Sequence, residues 1–174
     1  MRLLTALALI LGLGACGLRP LYSGGTSGVA ARSLANIEVA PIPGQAGWLV
    51  RNAINDRLAP TRGADGAAGA AQYRLVVELD DQITGFGVRA DDAITRERRT
   101  LRARYQLVDA ARGTVLLDAT AGSDAGIDVV SSEYATIAAE NSALERLADV
   151  VANQIVSRIA TADGATQDPA AAGS

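Results

Sequence analysis

The sequence predicts an α+β fold in which two helices pack on one face of a roughly four-stranded, mainly antiparallel sheet, ordered strand-helix-strand-strand-strand-helix. Three observations predict it. Apolar residues alternate with period two along three successive stretches, 73–79, 101–107 and 115–121. Over 45–59 and 131–161 they recur instead at three and four residues, the spacing of a helix. Both helical stretches are apolar on one side only, so each needs a flat apolar partner, which a sheet face provides.

Residues 33–43 carry Ile37, Val39 and Ile42 around Glu38, a first strand ended by Pro43-Gly44. In the first helix, Ala46, Leu49, Val50, Ala53, Ile54 and Leu58 form the apolar stripe. Arg51, Asn52, Asn55, Asp56 and Arg57 lie opposite, and Pro60 stops the helix. A Gly/Ala loop over 61–71 leads to a strand at 72–88, where Tyr73, Leu75, Val77 and Leu79 alternate with Arg74, Val76, Glu78 and Asp80. Strands at 95–109 and 114–122 follow, separated by turns at 90–93 and 110–113. Their apolar sets, Leu101, Ala103, Tyr105, Leu107 and Val115, Leu117, Ala119, Ala121, also fall on odd numbers. A two-residue turn at Asp91-Asp92 would set odd opposite even, so a longer turn or a bulge at Gly85 or Gly87 must restore the phase.

Ser131-Ser132-Glu133 opens the last helix with a Ser N-cap and an acid in the first turn. It is expected to run to Thr161, roughly 45 Å at 1.5 Å per residue, with Gly164 capping it. Leu144, Leu147, Ala148, Val151, Ile155 and Ile159 form its stripe.

Ahead of this domain, Met1-Arg2 and the apolar run 3–13 lead to Leu13-Gly14-Ala15-Cys16. A basic start, a short apolar core and small residues before a cut make a secretory signal, too short to span a bilayer, which takes about 20 residues. Leu at −3, small residues at −2 and −1 and Cys at +1 look like a bacterial lipobox, which implies acylation of Cys16. Acyl chains contribute about 0.8 kcal/mol per buried CH₂. The expected organisation is a signal peptide at 1–15, an acylated start and Gly/Ser-rich linker at 16–32, the α/β domain at 33–162 and a disordered tail at 163–174.

Composition narrows the chemistry. All sixteen basic residues are Arg, there is no His, and Cys16 is the single cysteine. A Ser-His-Asp triad, an imidazole base, a Cys/His zinc site and a disulfide are therefore excluded. The acid pairs Asp80-Asp81 and Asp91-Asp92 read as solvated turn residues. Gly85-Phe86-Gly87 lacks the third glycine of a dinucleotide loop. No enzyme, cofactor or metal is expected. A net charge of −3 gives no bulk field for nucleic acid.

One constellation invites a ligand. Arg96, Arg98, Arg102 and Arg104 share even parity on the middle strand, so they point one way over roughly 27 Å at about 3.4 Å per residue. Guanidinium groups hold phosphate bidentately, and such a row suits a phosphorylated glycolipid. It equally suits pairing with Glu78, Asp80 or Asp118 across the sheet. Arg99 falls on the opposite parity, close to the expected core.

The opening Cys16-Gly17-Leu18-Arg19-Pro20-Leu21-Tyr22 resembles the start of mature LptE lipoproteins, where Arg/Gln-Pro-Leu-Tyr follows the cysteine and glycine. Leu18 stands where many members have Phe. The element order, with its Arg-rich middle strand and long terminal helix, is similar too. The resemblance implies an outer-membrane lipoprotein that plugs the LptD β-barrel and assists lipopolysaccharide insertion into the outer leaflet, with the lipid-anchored domain facing the periplasm and the barrel lumen. Gly17 is not the Asp that marks inner-membrane retention in enterobacteria. An auxiliary lipoprotein of a lipid-transporting ABC system, and a structural or cell-wall-binding lipoprotein, fit the same signal and domain.

Overall fold

A computed structural model describes residues 34–61, 71–88 and 94–166. The signal segment, Cys16, the linker, Asp91-Asp92 and the residues from 167 onward lie outside the described residues. The elements follow the predicted order: β1 (Ile37–Val39), α1 (Gly44–Leu58) with a 3-10 turn at Ala59–Thr61, β2 (Tyr73–Val88), β3 (Ile94–Asp109), β4 (Val115–Asp128) and α2 (Glu133–Thr166). The strands form one sheet in the order β1-β2-β3-β4. β1 runs parallel to β2 and the other pairs are antiparallel, giving the expected α+β class.

β1 is much shorter than the expected 33–43. Pro41 and Pro43 carry no N–H and cannot extend a ladder, and its last bond is Ala40 N–H to the Leu75 carbonyl at 2.9 Å. α1 begins at Gly44, whose φ of 80° only glycine adopts freely. Its first turn rests directly on β1's exit: a Cβ on Gly47 would lie 2.5 Å from the Ile42 carbonyl oxygen. At the other end the Thr61 hydroxyl donates to the Leu58 carbonyl at 2.6 Å, satisfying one of the helix's open acceptors.

The phase problem is solved by turn length. The β2–β3 register runs without a shift from Tyr73↔Asp109 to Val88↔Ile94, each residue facing one of its own parity, so neither Gly85 nor Gly87 is a bulge. Gly87 does adopt φ 77°, with the Thr95 hydroxyl bonded to its carbonyl at 2.8 Å. The irregularity falls in the next pair, between Leu107 and Val108. There the Asp109 carboxylate accepts the Ala111 and Arg112 N–H groups and Gly113 turns back at φ 68°.

Two elements extend beyond their expected ends. β4 continues past Gly122 to Asp128, because the far half of β3 supplies partners down to Arg96↔Asp128. Gly122, Ser123 and Gly126 dilute the apolar alternation without breaking the ladder. α2 passes through Gly164 and ends at Thr166, so Gly164 is not its cap. A lone helical glycine costs only about 1 kcal/mol. At the N-terminus of α2 the Ser132 carbonyl, not a hydroxyl, accepts the Ala135 and Thr136 N–H groups.

The core lies on the odd face. Leu75, Val77, Leu101, Ala103, Tyr105 and Leu107 meet Val50, Ile54 and Leu58 of α1 and the predicted stripe of α2, all buried in one cluster. With both helices on that side, the even face of β2, β3 and β4 is left open.

Candidate functional site

The open face carries the arginine row at its centre, because β3 is flanked on both sides. Arg96, Arg98, Arg102 and Arg104 all project there, and each meets a different environment. Arg96 Nε lies 3.1 Å from Asp128 Oδ1. Arg98 Nε lies 3.9 Å from Asp124 Oδ2, and its guanidinium sits 5.6 Å from the centre of the Phe86 ring. Arg104 is bidentate on Asp118, at 3.2 and 2.8 Å, and Gln106 donates to the same carboxylate at 2.8 Å. The Arg104 guanidinium, and then the Gln106 amide, hold the Asp118 carboxyl below the usual carboxylate range. These arginine side chains are 60–64% exposed, so water screens each pair and it opens readily.

Arg102 differs. In register it stands between Asp80 of β2 and Gly122 of β4. The Asp80 carboxylate takes the Gln82 amide on both oxygens, at 3.0 Å each. On the other side there is no carboxylate, since position 122 is glycine. The guanidinium lies across it, and a Cβ on Gly122 would fall 2.6 Å from Arg102 Nη1. Among the described residues Arg102 makes no ion pair. It borders a shallow groove of about 680 Å³ whose walls include Asp80, Arg104, Thr120, Gly122 and Gln154.

Of the partners expected from sequence, Asp118 pairs with the row, whereas neither Glu78 nor Asp80 forms an ion pair with it. Asp124 and Asp128 were missed because the strand was expected to stop at Gly122. Their even numbering, matching that of the arginines, was the available signal.

Arg99 occupies the opposite face. Its Nε and Nη2 donate to Asp81 at 2.8 and 2.6 Å, and its Nη1 donates to the Glu140 carbonyl of α2 at 3.0 Å. Asp81 is thus an interior residue of β2 that anchors a buried guanidinium, not a solvated turn acid. Beside it, Glu97 Oε2 is buried without a hydrogen-bond partner. Burial, and then the negative charge of Glu140, push the Glu97 carboxyl up.

Among the described residues no group of three or more His, Cys, Asp or Glu could hold a metal ion. No described helix is long and apolar enough to cross a membrane. What the open face offers chemically is recognition of anions by guanidinium groups.

The family model described as LptE, Lipopolysaccharide-assembly, matches residues 34–159. Among solved structures, one described as a lipoprotein from Caulobacter crescentus is 28% identical, with a TM-score of 0.64, over 80% of this chain and 98% of that one. A minor lipoprotein from Acinetobacter baumannii is 15% identical, with a TM-score of 0.56, over 73% and 92%. The rare lipoprotein B from Shewanella oneidensis is 10% identical, with a TM-score of 0.51, over 76% and 94%. The last two likenesses concern the fold alone. No curated protein matches by sequence.

Proposed function

This chain belongs to the LptE lipopolysaccharide-assembly family, and on that premise we propose that it is an outer-membrane lipoprotein, tethered by acylated Cys16, that assembles with an LptD-type β-barrel and assists lipopolysaccharide insertion into the outer leaflet. Its role is binding and assembly, not catalysis. The observation that carries the reading is the open sheet face, with its row of arginines and the uncommitted Arg102 above a groove.

Phosphate groups on a glycolipid match guanidinium geometry, and charge-assisted contacts are roughly twice as strong as neutral ones. Arg102 is ready for such a contact with no ion pair to break. Arg96, Arg98 and Arg104 can join by exchanging an exposed, solvent-screened aspartate for a phosphate. Glu78 and Asp80 oppose the binding by repulsion, which keeps the face from holding anions indiscriminately. A two-layer domain with one charged face also suits the polar interior of a wide barrel.

Affinity purification of the full chain through a C-terminal tag tests the assembly. Recovery of a large β-barrel is the expected result. Recovery of an ABC permease or of peptidoglycan in its place would contradict it.

A further inference from the structure

Gln154 of α2, which closes one end of the groove beside Arg102, also makes a contact with the edge of the sheet. Its carboxamide reaches the outer edge of the sheet and meets the peptide group of Gly122 on both sides. The Gly122 N–H donates to Oε1 at 3.0 Å, and Nε2 donates to the Gly122 carbonyl at 3.4 Å. β4 is the last strand of the sheet, so these backbone groups point away from β3, to where a fifth strand would lie. In an antiparallel ladder the outward groups alternate. Asp118, Thr120, Asp124 and Gly126 therefore present their peptides to the same side. The edge is 14 residues long, and Val115 and Leu116 at its start are exposed. A long open edge is a template for another strand.

We propose that Gln154 is an edge guard: its carboxamide stands in for the peptide of a fifth strand and keeps β4 from pairing with the β4 of a second copy of this chain. The charge pattern along β4 selects the pairing that must be blocked. Antiparallel pairing centred on Gly122 sets Asp118 opposite Gly126 and Thr120 opposite Asp124. Centring on Ala121 sets Asp118 opposite Asp124, and centring on Ser123 sets it opposite Asp128. Like charges directly opposed are destabilising. Of these three registers only the first avoids opposed carboxylates, and it puts Gly122 of both copies on the two-fold axis, which is the residue Gln154 occupies. Blocking that one peptide interrupts the ladder at its centre in both copies.

The test is the self-association of the full-length protein in detergent, measured by sedimentation velocity across protein concentration. Gln154→Ala and Gln154→Leu suit an exposed helix position and should tighten dimerisation by about tenfold or more. Gln154→Glu keeps the acceptor for the Gly122 N–H but cannot donate to its carbonyl, and should fall between. It also gives the answer if the shorter side chain disturbs folding. Adding Thr120→Pro, which removes an outward N–H at an edge strand, should return Gln154→Ala to the monomer. Equal association of Gln154→Ala and wild type would overturn the guard. Association that survives Thr120→Pro would overturn β4 as the contact.

Discussion

Arg99 on β3 and Asp81 on β2 are joined by two guanidinium–carboxylate hydrogen bonds, at 2.8 and 2.6 Å, diagonally across the ladder. The remaining arm of the fork holds the Glu140 carbonyl, so one side chain ties two strands to α2. The pair is largely covered, at 11% and 23% side-chain exposure. Removing one partner strands the other, which costs about 3–5 kcal/mol when fully buried and about 2–4 kcal/mol at this partial exposure. Urea denaturation of Arg99→Ala should show a loss of that size. Arg96→Ser, on the exposed face, should change stability by no more than about 0.5 kcal/mol.

Glu97 gives the fold a pH dependence of definite sign. Its carboxyl is raised above the ordinary 4.5 by burial and by Glu140, so the folded state binds more protons than the unfolded state above that pH. Its contribution is fully present below the unfolded value and is lost as pH rises through the folded one. Thermal unfolding should therefore show Glu97→Gln more stable than wild type at pH 7.5, with the gap closing toward pH 4. A gap that widens on acidification would show that Glu97 is held ionised.

Gly47 is set by contact with a backbone atom that cannot swing away. A methyl group there would sit 2.5 Å from the Ile42 carbonyl oxygen and 2.8 Å from Ile42 Cγ2. Overpacking of this kind costs about 1–3 kcal/mol. Gly47→Ala should lower the urea midpoint accordingly, although alanine is the better helix former by about 1 kcal/mol. A stabilised variant would mean that α1 can lift off β1.

Periodicity made most of the fold legible. The odd-numbered apolar sets of β2 and β3 and the stripe of α2 are buried or half-buried as the spacing requires. In β4 this holds for Leu117, Ala119 and Ala121, whereas the register shift sets Val115 opposite Val108 and leaves it exposed. Boundaries were harder where composition thins: glycines in β4 and Gly164 in α2 mimic stop signals, yet pairing and helix continuity override them. The arginine row and its orientation followed from parity alone. Which arginine lacks a carboxylate did not, because that depends on diagonal neighbours, on Gln82 engaging Asp80, and on Gly122 lying opposite Arg102. The role of Arg99 was hidden for a related reason: Asp81 lies diagonally across the ladder from it, and its third contact depends on where α2 packs.

We propose that the open face binds the phosphates of lipopolysaccharide, with Arg102 as the contact that has no ion pair to break. The most direct measurement is lipopolysaccharide affinity for residues 17–174 at matched salt. Arg102→Ser should weaken binding about tenfold, and Arg98, Arg102 and Arg104 changed together to Ser should weaken it further. Asp80→Asn, which removes an opposing charge, should strengthen it, and doubling the salt should weaken it in wild type. Affinity unchanged in both Arg102→Ser and Asp80→Asn would show that this face does not hold the phosphates.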